Sequence, residues 1–170
     1  MLHRARLLRE PKVVRVGREV HVKLLILANR SYDALDEICR AAGITHQQYV
    51  ALWTLCLAEE AERGVPIGAV STGLLNRASD TTRLVDRLVR SGLAERVANP
   101  ADRRSVLVRA TEAGRRIFDA VTPELQQFHR REWSNLSPSE TDTLNALLSK
   151  ALRDPNRARV AHEGPPSRTR

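Results

Sequence analysis

The feature that most constrains this chain is a change of hydrophobic period between residues 79 and 110. Apolar side chains recur at helical spacing over residues 79–91. The segments 93–97 and 106–110 then alternate with the period of two that is typical of strands, and the turn between them contains Asn, Pro and Asp. The sequence therefore predicts a helix followed directly by a two-stranded β-hairpin.

A second helix is predicted just before this unit. Ile67, Val70 and Leu74 have the spacing of a two-turn helix, residues 76–78 turn the chain, and Ser79 can cap the next helix. The order short helix, tight turn, helix and hairpin predicts a winged helix-turn-helix, whose second helix can enter a major groove of DNA. Such units also serve in protein–protein contacts, so an interaction module stays open as an alternative.

Two further helices carry apolar faces. They are predicted over residues 17–42 and over residues 137–152, where Ser137 and Glu140 form a capping box. The chain around them is too short to bury both faces within one subunit, so we expect a homodimer. The alternative is that the two helices pack on each other in a monomer.

The remaining helical patterns connect these elements to the winged unit. Thr45 and Gln48 predict a capped helix that ends near Glu62. Thr111 should cap a long helix that Pro123 kinks or breaks, and Thr122 can then act as a second cap.

The composition limits the class of protein. Six residues are Phe, Trp or Tyr, so the core must be aliphatic, and two cysteines provide no disulfide framework. No apolar run approaches the ~20 residues that span a bilayer, and the basic N-terminus lacks the apolar stretch of a secretory signal. We expect a cytoplasmic protein that makes no membrane contact.

The net charge of +8 is unevenly distributed. Residues 1–23 carry +5 and residues 153–170 carry +3, which leaves the body neutral. Within that body, residues 31–62 carry −5 and residues 77–116 carry +5. A basic segment in a neutral body indicates a surface for a polyanion such as DNA.

The sequence contains no catalytic or metal-binding pattern. There is no glycine-rich phosphate loop and no nucleophile elbow, and the histidines lack metal-ligand spacing. We therefore expect neither an enzyme nor a bound cofactor. The scattered histidines are His3, His21, His46, His129 and His162.

Two motifs carry a family resemblance. Asp102-Arg103-Arg104, five further residues and Ala110-Thr111-Glu112-Ala113-Gly114 resemble the D-x-R-x5-L-T-x-x-G signature of the MarR (multiple antibiotic resistance regulator) family. Residues 82–88 and 91–93 are similar to the recognition helix and first wing strand of that family. The resemblance covers about residues 20–152, and Ala110 departs from it because the family usually has Leu there.

The resemblance implies a mainly α fold with a small β-hairpin wing and a helical dimerisation base. It implies a DNA-binding transcriptional regulator, expected to be a ligand-responsive homodimeric repressor on a pseudo-palindromic double-stranded operator. A constitutive DNA-binding protein without an effector is the alternative within this class. The predicted organisation is a basic arm over 1–15, a MarR-like domain over 16–152 and a disordered basic tail over 153–170. Within that domain the winged unit spans about 64–112, and the dimerisation helices span about 17–42 and 112–152.

The predicted DNA contacts lie on the second helix of the unit and on the wing. Arg83 and Arg87 lie one turn apart and face the groove together, whereas Asp80 either caps the helix or accepts from a cytosine amino group. We expect Asp86 to pair with Arg104 as a brace between helix and wing. The full set of predicted DNA-binding residues is Arg77, Ser79, Asp80, Thr82, Arg83, Arg87, Arg103 and Arg104.

Most of the rings lie in the first two helices. The resemblance implies that Tyr32, His46, Tyr49 and Trp53 line a pocket for an aromatic or phenolic effector, although Tyr49 and Trp53 have the spacing of core residues. Cys56 shares their apolar face and is expected to be an unreactive buried thiol. Neither Cys56 nor Cys39 occupies the position of a peroxide-sensing cysteine in relatives.

Overall fold

A computed structural model describes residues 11–59, 61–70, 78–102 and 105–153, with residues 78–80 as backbone only. It is mainly helical, with one small antiparallel sheet. In chain order the elements are α1 (Lys12–Ala41), α2 (His46–Leu57), β1 (Val65–Pro66), α3 (Ile67–Val70), α4 (Ala78–Arg90), β2 (Ala94–Ala98), β3 (Val106–Ala110), α5 (Glu112–Glu132) and α6 (Pro138–Leu152).

Helix α1 begins earlier than predicted. The sequence analysis placed residues 12–15 in a basic arm, but the helix begins at Lys12. Pro11 precedes it with φ −53°, and its carbonyl oxygen accepts from the backbone N–H of Val14 and Arg15. Proline has a fixed φ near the helical value and needs no N–H partner at a helix start, so it sets the boundary here.

Helix α2 begins as predicted and ends early. The Thr45 side chain accepts from the backbone N–H of Gln48, and the Gln48 side chain accepts from that of Thr45, which confirms the capping box. The helix ends at Leu57 because Ala58 is extended (ψ 144°), whereas the prediction placed the end near Glu62.

The hairpin is confirmed and gains a third strand. Strands β2 and β3 pair antiparallel, from Ala94 opposite Ala110 to Ala98 opposite Val106. Strand β1 pairs with the other edge of β3, and the sheet order is β1-β3-β2. Two residues show no period, so the sequence pattern missed this strand.

Helix α4 and the sheet are held by one aliphatic core. Leu84, Val85 and Leu88 of α4 are buried, which confirms the predicted inward face. They belong to the same cluster as Leu52 and Leu55 of α2. The core positions α4 against α2 and the sheet and leaves its opposite face outward.

Helix α5 continues through Pro123. The prediction that Thr122 caps a second helix is therefore wrong. Its hydroxyl donates to the carbonyl oxygen of Phe118 one turn earlier (2.6 Å) and lies 3.0 Å from the Tyr49 hydroxyl. Local hydrogen bonds of Thr122 thus support the helix at the position where proline removes a backbone donor.

The chain divides into two compact units between Phe128 and His129. In the second unit, Ser137 and Glu140 form the predicted capping box, with Pro138 at the first turn. No side chain of α6 is buried. Among the described helices, none is long and apolar enough to cross a membrane.

Both ends of the hairpin meet at the start of α5. The Thr111 hydroxyl donates to the Gly92 carbonyl oxygen (2.6 Å) and accepts from the backbone N–H of Gly114 (3.1 Å). The Thr111 backbone N–H donates to the Leu93 carbonyl oxygen (3.1 Å). Gly114 packs so closely that a Cβ there would overlap the Leu93 carbonyl oxygen and lie 3.1 Å from Leu52.

We therefore expect Gly114→Ala to lower the free energy of unfolding by at least about 2 kcal/mol, because the added methyl meets backbone that cannot move freely. Gly17→Ala is the matched control, since its Cβ would meet nothing within 4 Å in the same kind of helix. That control should raise stability by roughly 0.5–1 kcal/mol. Denaturant unfolding at one protein concentration measures both, and equal effects would contradict the close approach.

Candidate nucleic-acid interface

Helix α4 has two chemically different faces. Leu84, Val85 and Leu88 are 2% exposed or less, whereas Thr82, Arg83 and Arg87 are exposed. Arg83 and Arg87 are one helical turn apart, so the same outward face presents both guanidinium groups. This is the arrangement that the sequence predicted for a helix that enters a groove.

The structure describes only part of the predicted DNA-binding set. Thr82, Arg83 and Arg87 lie together on the outward face of α4. The predicted side chains outside the described residues are Arg77, Ser79, Asp80, Arg103 and Arg104.

An ion pair braces α4 against the wing. The Arg96 guanidinium on β2 donates to the Asp86 carboxylate on α4 (2.5 Å), and both side chains are partly exposed. The sequence analysis expected a wing arginine to pair with Asp86 but chose Arg104, which lies outside the described residues. Arg96 lies on the strand that follows α4 directly, so the pair spans only ten residues.

A second set of contacts holds the base of the wing. Arg109 on β3 donates through Nε to the Glu95 carboxylate (2.8 Å), as expected for residues opposite each other on paired strands. Its Nη1 donates to the Glu62 carbonyl oxygen (3.2 Å). The Glu62 carboxylate in turn accepts from Arg115 of α5 (2.9 Å). Sequence reasoning missed both glutamates, although the hairpin register indicates the pairing of Glu95.

The wing turn is held by side-chain hydrogen bonds. The Asn99 side chain accepts from the Ala101 backbone N–H (3.0 Å) and donates to the Ser105 hydroxyl (2.7 Å). The Ser105 backbone N–H donates to the Asp102 carbonyl oxygen (3.0 Å). Asn favours such turns because its side chain replaces a backbone partner, and the predicted turn is confirmed.

Comparisons with known proteins agree with this geometry. A profile of a winged helix DNA-binding domain matches residues 72–114. The multiple antibiotic resistance protein MarR of Escherichia coli K12 is 31% identical over 147 residues, which cover 83% of this chain and 93% of MarR. This chain belongs to the MarR family of transcriptional regulators. It is a DNA-binding regulator with a winged helix-turn-helix.

Other comparisons support the assignment to the MarR family. The transcriptional repressor MprA of Escherichia coli K12 is 28% identical, covering 78% of this chain and 72% of MprA. The structure of a cysteine-to-serine mutant of E. coli MarR complexed with operator DNA is similar at TM-score 0.67 and 28% identity, covering 83% of this chain and 96% of that one. CouR of Rhodococcus jostii RHA1, crystallised with p-coumaroyl-CoA, shares the fold at TM-score 0.70 and 24% identity, covering 79% of this chain and 92% of CouR.

The four ring residues predicted to line an effector pocket in this MarR-family chain have different environments. Tyr32 and His46 meet edge to face, with ring centroids 5.8 Å apart. Tyr49 is buried and stacks on Phe118 (5.6 Å), as the core interpretation expected. Trp53 is 50% exposed, so the core interpretation is wrong for that residue within one subunit.

An acidic residue supports the Tyr32–His46 contact. The His46 backbone N–H donates to the Asp36 carboxylate (2.9 Å), which also pairs with Arg40. That backbone hydrogen bond, together with the charge of Arg40, lowers the pKa of Asp36 against the opposing effect of burial. The contact ties the start of α2 to α1.

The two cysteines occupy apolar surroundings. Cys39 is fully buried, and burial raises its pKa to about 11, with the charge of Asp36 adding to the effect. Burial also raises the pKa of Cys56, which is partly exposed. Because the thiolate is the reactive species, both shifts oppose redox chemistry at neutral pH.

We expect Cys39 to resist alkylation by iodoacetamide at pH 8, with a rate at least about tenfold below that of a free cysteine, because little thiolate forms. Peptide mass spectrometry of native protein over time measures both cysteines separately. Reaction in denaturant is the control and should proceed at the ordinary rate for each. Rapid native labelling of Cys39 would contradict its burial.

Proposed function

We propose that this MarR-family regulator is a homodimeric repressor that binds a pseudo-palindromic operator and is released by a small ligand. The observation that carries the proposal is the pair of faces on α4, one buried in the core and one presenting Thr82, Arg83 and Arg87. A helix held in this way can enter a major groove while the wing beside it contacts the backbone or the minor groove. Half-site centres would lie ~10 base pairs apart.

The proposed DNA contacts divide by role. Arg83 and Arg87 suit bidentate contacts to guanine or salt-dependent contacts to phosphate, and Thr82 suits a base edge. Ser79, Asp80 and Arg77 would lie near the start of α4, and Arg103 and Arg104 at the wing tip. That complete set was predicted from the sequence and remains a proposal.

Unburied apolar surface on α1 supports the dimer. Within the described chain, Cys39 is the only buried residue of this 30-residue helix. Val13, Val16, Val20, Leu24 and Leu27 follow one another at intervals of three and four residues, which is the spacing of a helix–helix seam. Four of them are 39–77% exposed, so this face requires another surface to cover it.

The second compact unit presents a similar surface. Leu147 of α6 is 60% exposed, and no side chain of that helix is buried. An open, largely apolar cavity of about 220 Å³ is lined by Trp133, Thr141, Leu144, Asn145 and Leu148. Apolar surface on the terminal helices agrees with the proposed dimerisation base, which would take α1 and α6 from both subunits.

We expect Arg83→Ala to weaken operator binding by about 1–3 kcal/mol and to relax the preference at one position of each half-site, if the side chain reads a base. Duplexes enriched from a random pool supply the operator, and fluorescence anisotropy across single-base variants gives the affinities. Arg131→Ala, an exposed arginine near the other end of α5, is the control and should bind like the parent. A uniform loss across all variants would assign Arg83 to phosphate, and no enrichment of any duplex would overturn the proposed function.

Two valines of α1 provide a matched test of the dimer. Val20 and Val22 are each 49% exposed in one subunit, but only Val20 lies on the seam. Val20→Glu should therefore shift sedimentation towards the monomer, because it places charge between paired helices. Val22→Glu should leave the dimer intact. Equal behaviour of the two variants would contradict this seam.

A further inference from the structure

A small cavity of about 170 Å³ lies between α2 and α5, away from the outward face of α4. Its lining combines apolar surface with two opposite charges: Cys56, Leu57, Arg115, Phe118 and Asp119. We propose that this cavity is a regulatory site for a small monocarboxylate with an apolar body of about one ring. Its role in regulation rests on the proposed function.

The apolar part of the cavity limits the size of the ligand. Leu57 and Phe118 supply carbon surface, and Cys56 is a neutral thiol whose pKa is raised by burial. About 150 Å³ of apolar cavity suffices to hold a benzene ring, whereas drug-sized ligands need at least about 300 Å³. The volume therefore fits a single ring or an aliphatic body of similar size.

Arg115 supplies the group that would bind a carboxylate. Its side chain is 28% exposed and donates to the Glu62 carboxylate (2.9 Å), so the guanidinium already holds an acid group. The Glu62 side chain is 86% exposed. Exposed ion pairs contribute little to stability, so a ligand that adds apolar burial to the same charge contact can displace Glu62.

Asp119 restricts the charge of the ligand. It lies one helical turn beyond Arg115 and lines the same cavity. Its carboxylate repels a second negative charge while the first is held by Arg115. The cavity should therefore prefer a monocarboxylate to a dicarboxylate of the same size.

Glu62 connects the cavity to the wing. Its carboxylate contacts Arg115, and its carbonyl oxygen accepts from Arg109 of β3 (3.2 Å), which also pairs with Glu95 of β2. A ligand that replaces the Glu62 carboxylate removes one of the two anchors of this residue. The wing base then loses support in the bound state, which gives the differential stability that release from DNA requires.

The binding step is tested on the full chain by calorimetry, with benzoate as probe and benzamide as its uncharged counterpart. Benzoate should bind and benzamide should not. Arg115→Gln should weaken benzoate about 10- to 100-fold, as loss of a hydrogen bond between charged groups implies. Glu62→Gln should strengthen it about 2- to 5-fold by removing the competitor. Arg116→Gln, the adjacent arginine that pairs with Glu112, is the control and should match the parent.

Charge selectivity and coupling complete the test. Phthalate should bind more weakly than benzoate, and Asp119→Asn should reduce that difference. Saturating benzoate should lower operator affinity, and operator DNA should lower benzoate affinity by the same factor. If benzoate fails to bind, or binds equally to the parent and Arg115→Gln, this inference is wrong while operator binding remains intact. If benzoate binds but leaves operator affinity unchanged, the regulatory role is wrong. Loss of operator binding by the parent without benzoate would instead overturn the proposed function.

Discussion

The contact on which the winged unit depends is the clasp at the start of α5. One hydroxyl, that of Thr111, joins the carbonyl of Gly92 before the hairpin to the backbone N–H of Gly114 after it. Gly114 permits this because no side chain separates α5 from the Leu93 backbone. The T-x-x-G part of the family signature thus has a structural meaning in this chain. It fixes where the wing leaves α4 and where it returns to α5, and it makes no demand on the adjoining Ala110.

Local signals in the sequence carried most of the fold. Both capping boxes and the two wing strands formed where the residues indicated, because their hydrogen bonds join neighbours along the chain. The errors occurred where a local signal was weak. Pro11 extended α1 beyond its predicted start, and the hydrogen bonds of Thr122 supported α5 at Pro123.

The contacts that the sequence did not predict are long-range. Glu62 meets Arg109 and Arg115 across 47 and 53 residues, and no spacing rule links such positions. Charge counting had a related weakness. Of the arginines counted as excess positive charge between residues 77 and 116, Arg96, Arg109, Arg115 and Arg116 pair with carboxylates inside the protein. The surface that faces DNA is therefore less basic than the segment total, and helix geometry rather than charge identified Arg83 and Arg87.

The uncovered seam of α1 makes the regulator sensitive to its own abundance. In the proposed dimer, the amount of DNA-binding species at low concentration follows the square of the subunit concentration, by mass action. Operator occupancy then rises more steeply than synthesis of the chain. Dilution at cell division would weaken repression more than in proportion, and a subunit without a partner would expose its valine-rich helix to proteolysis and aggregation. Subunit supply thus becomes a control variable in its own right, separate from any effector.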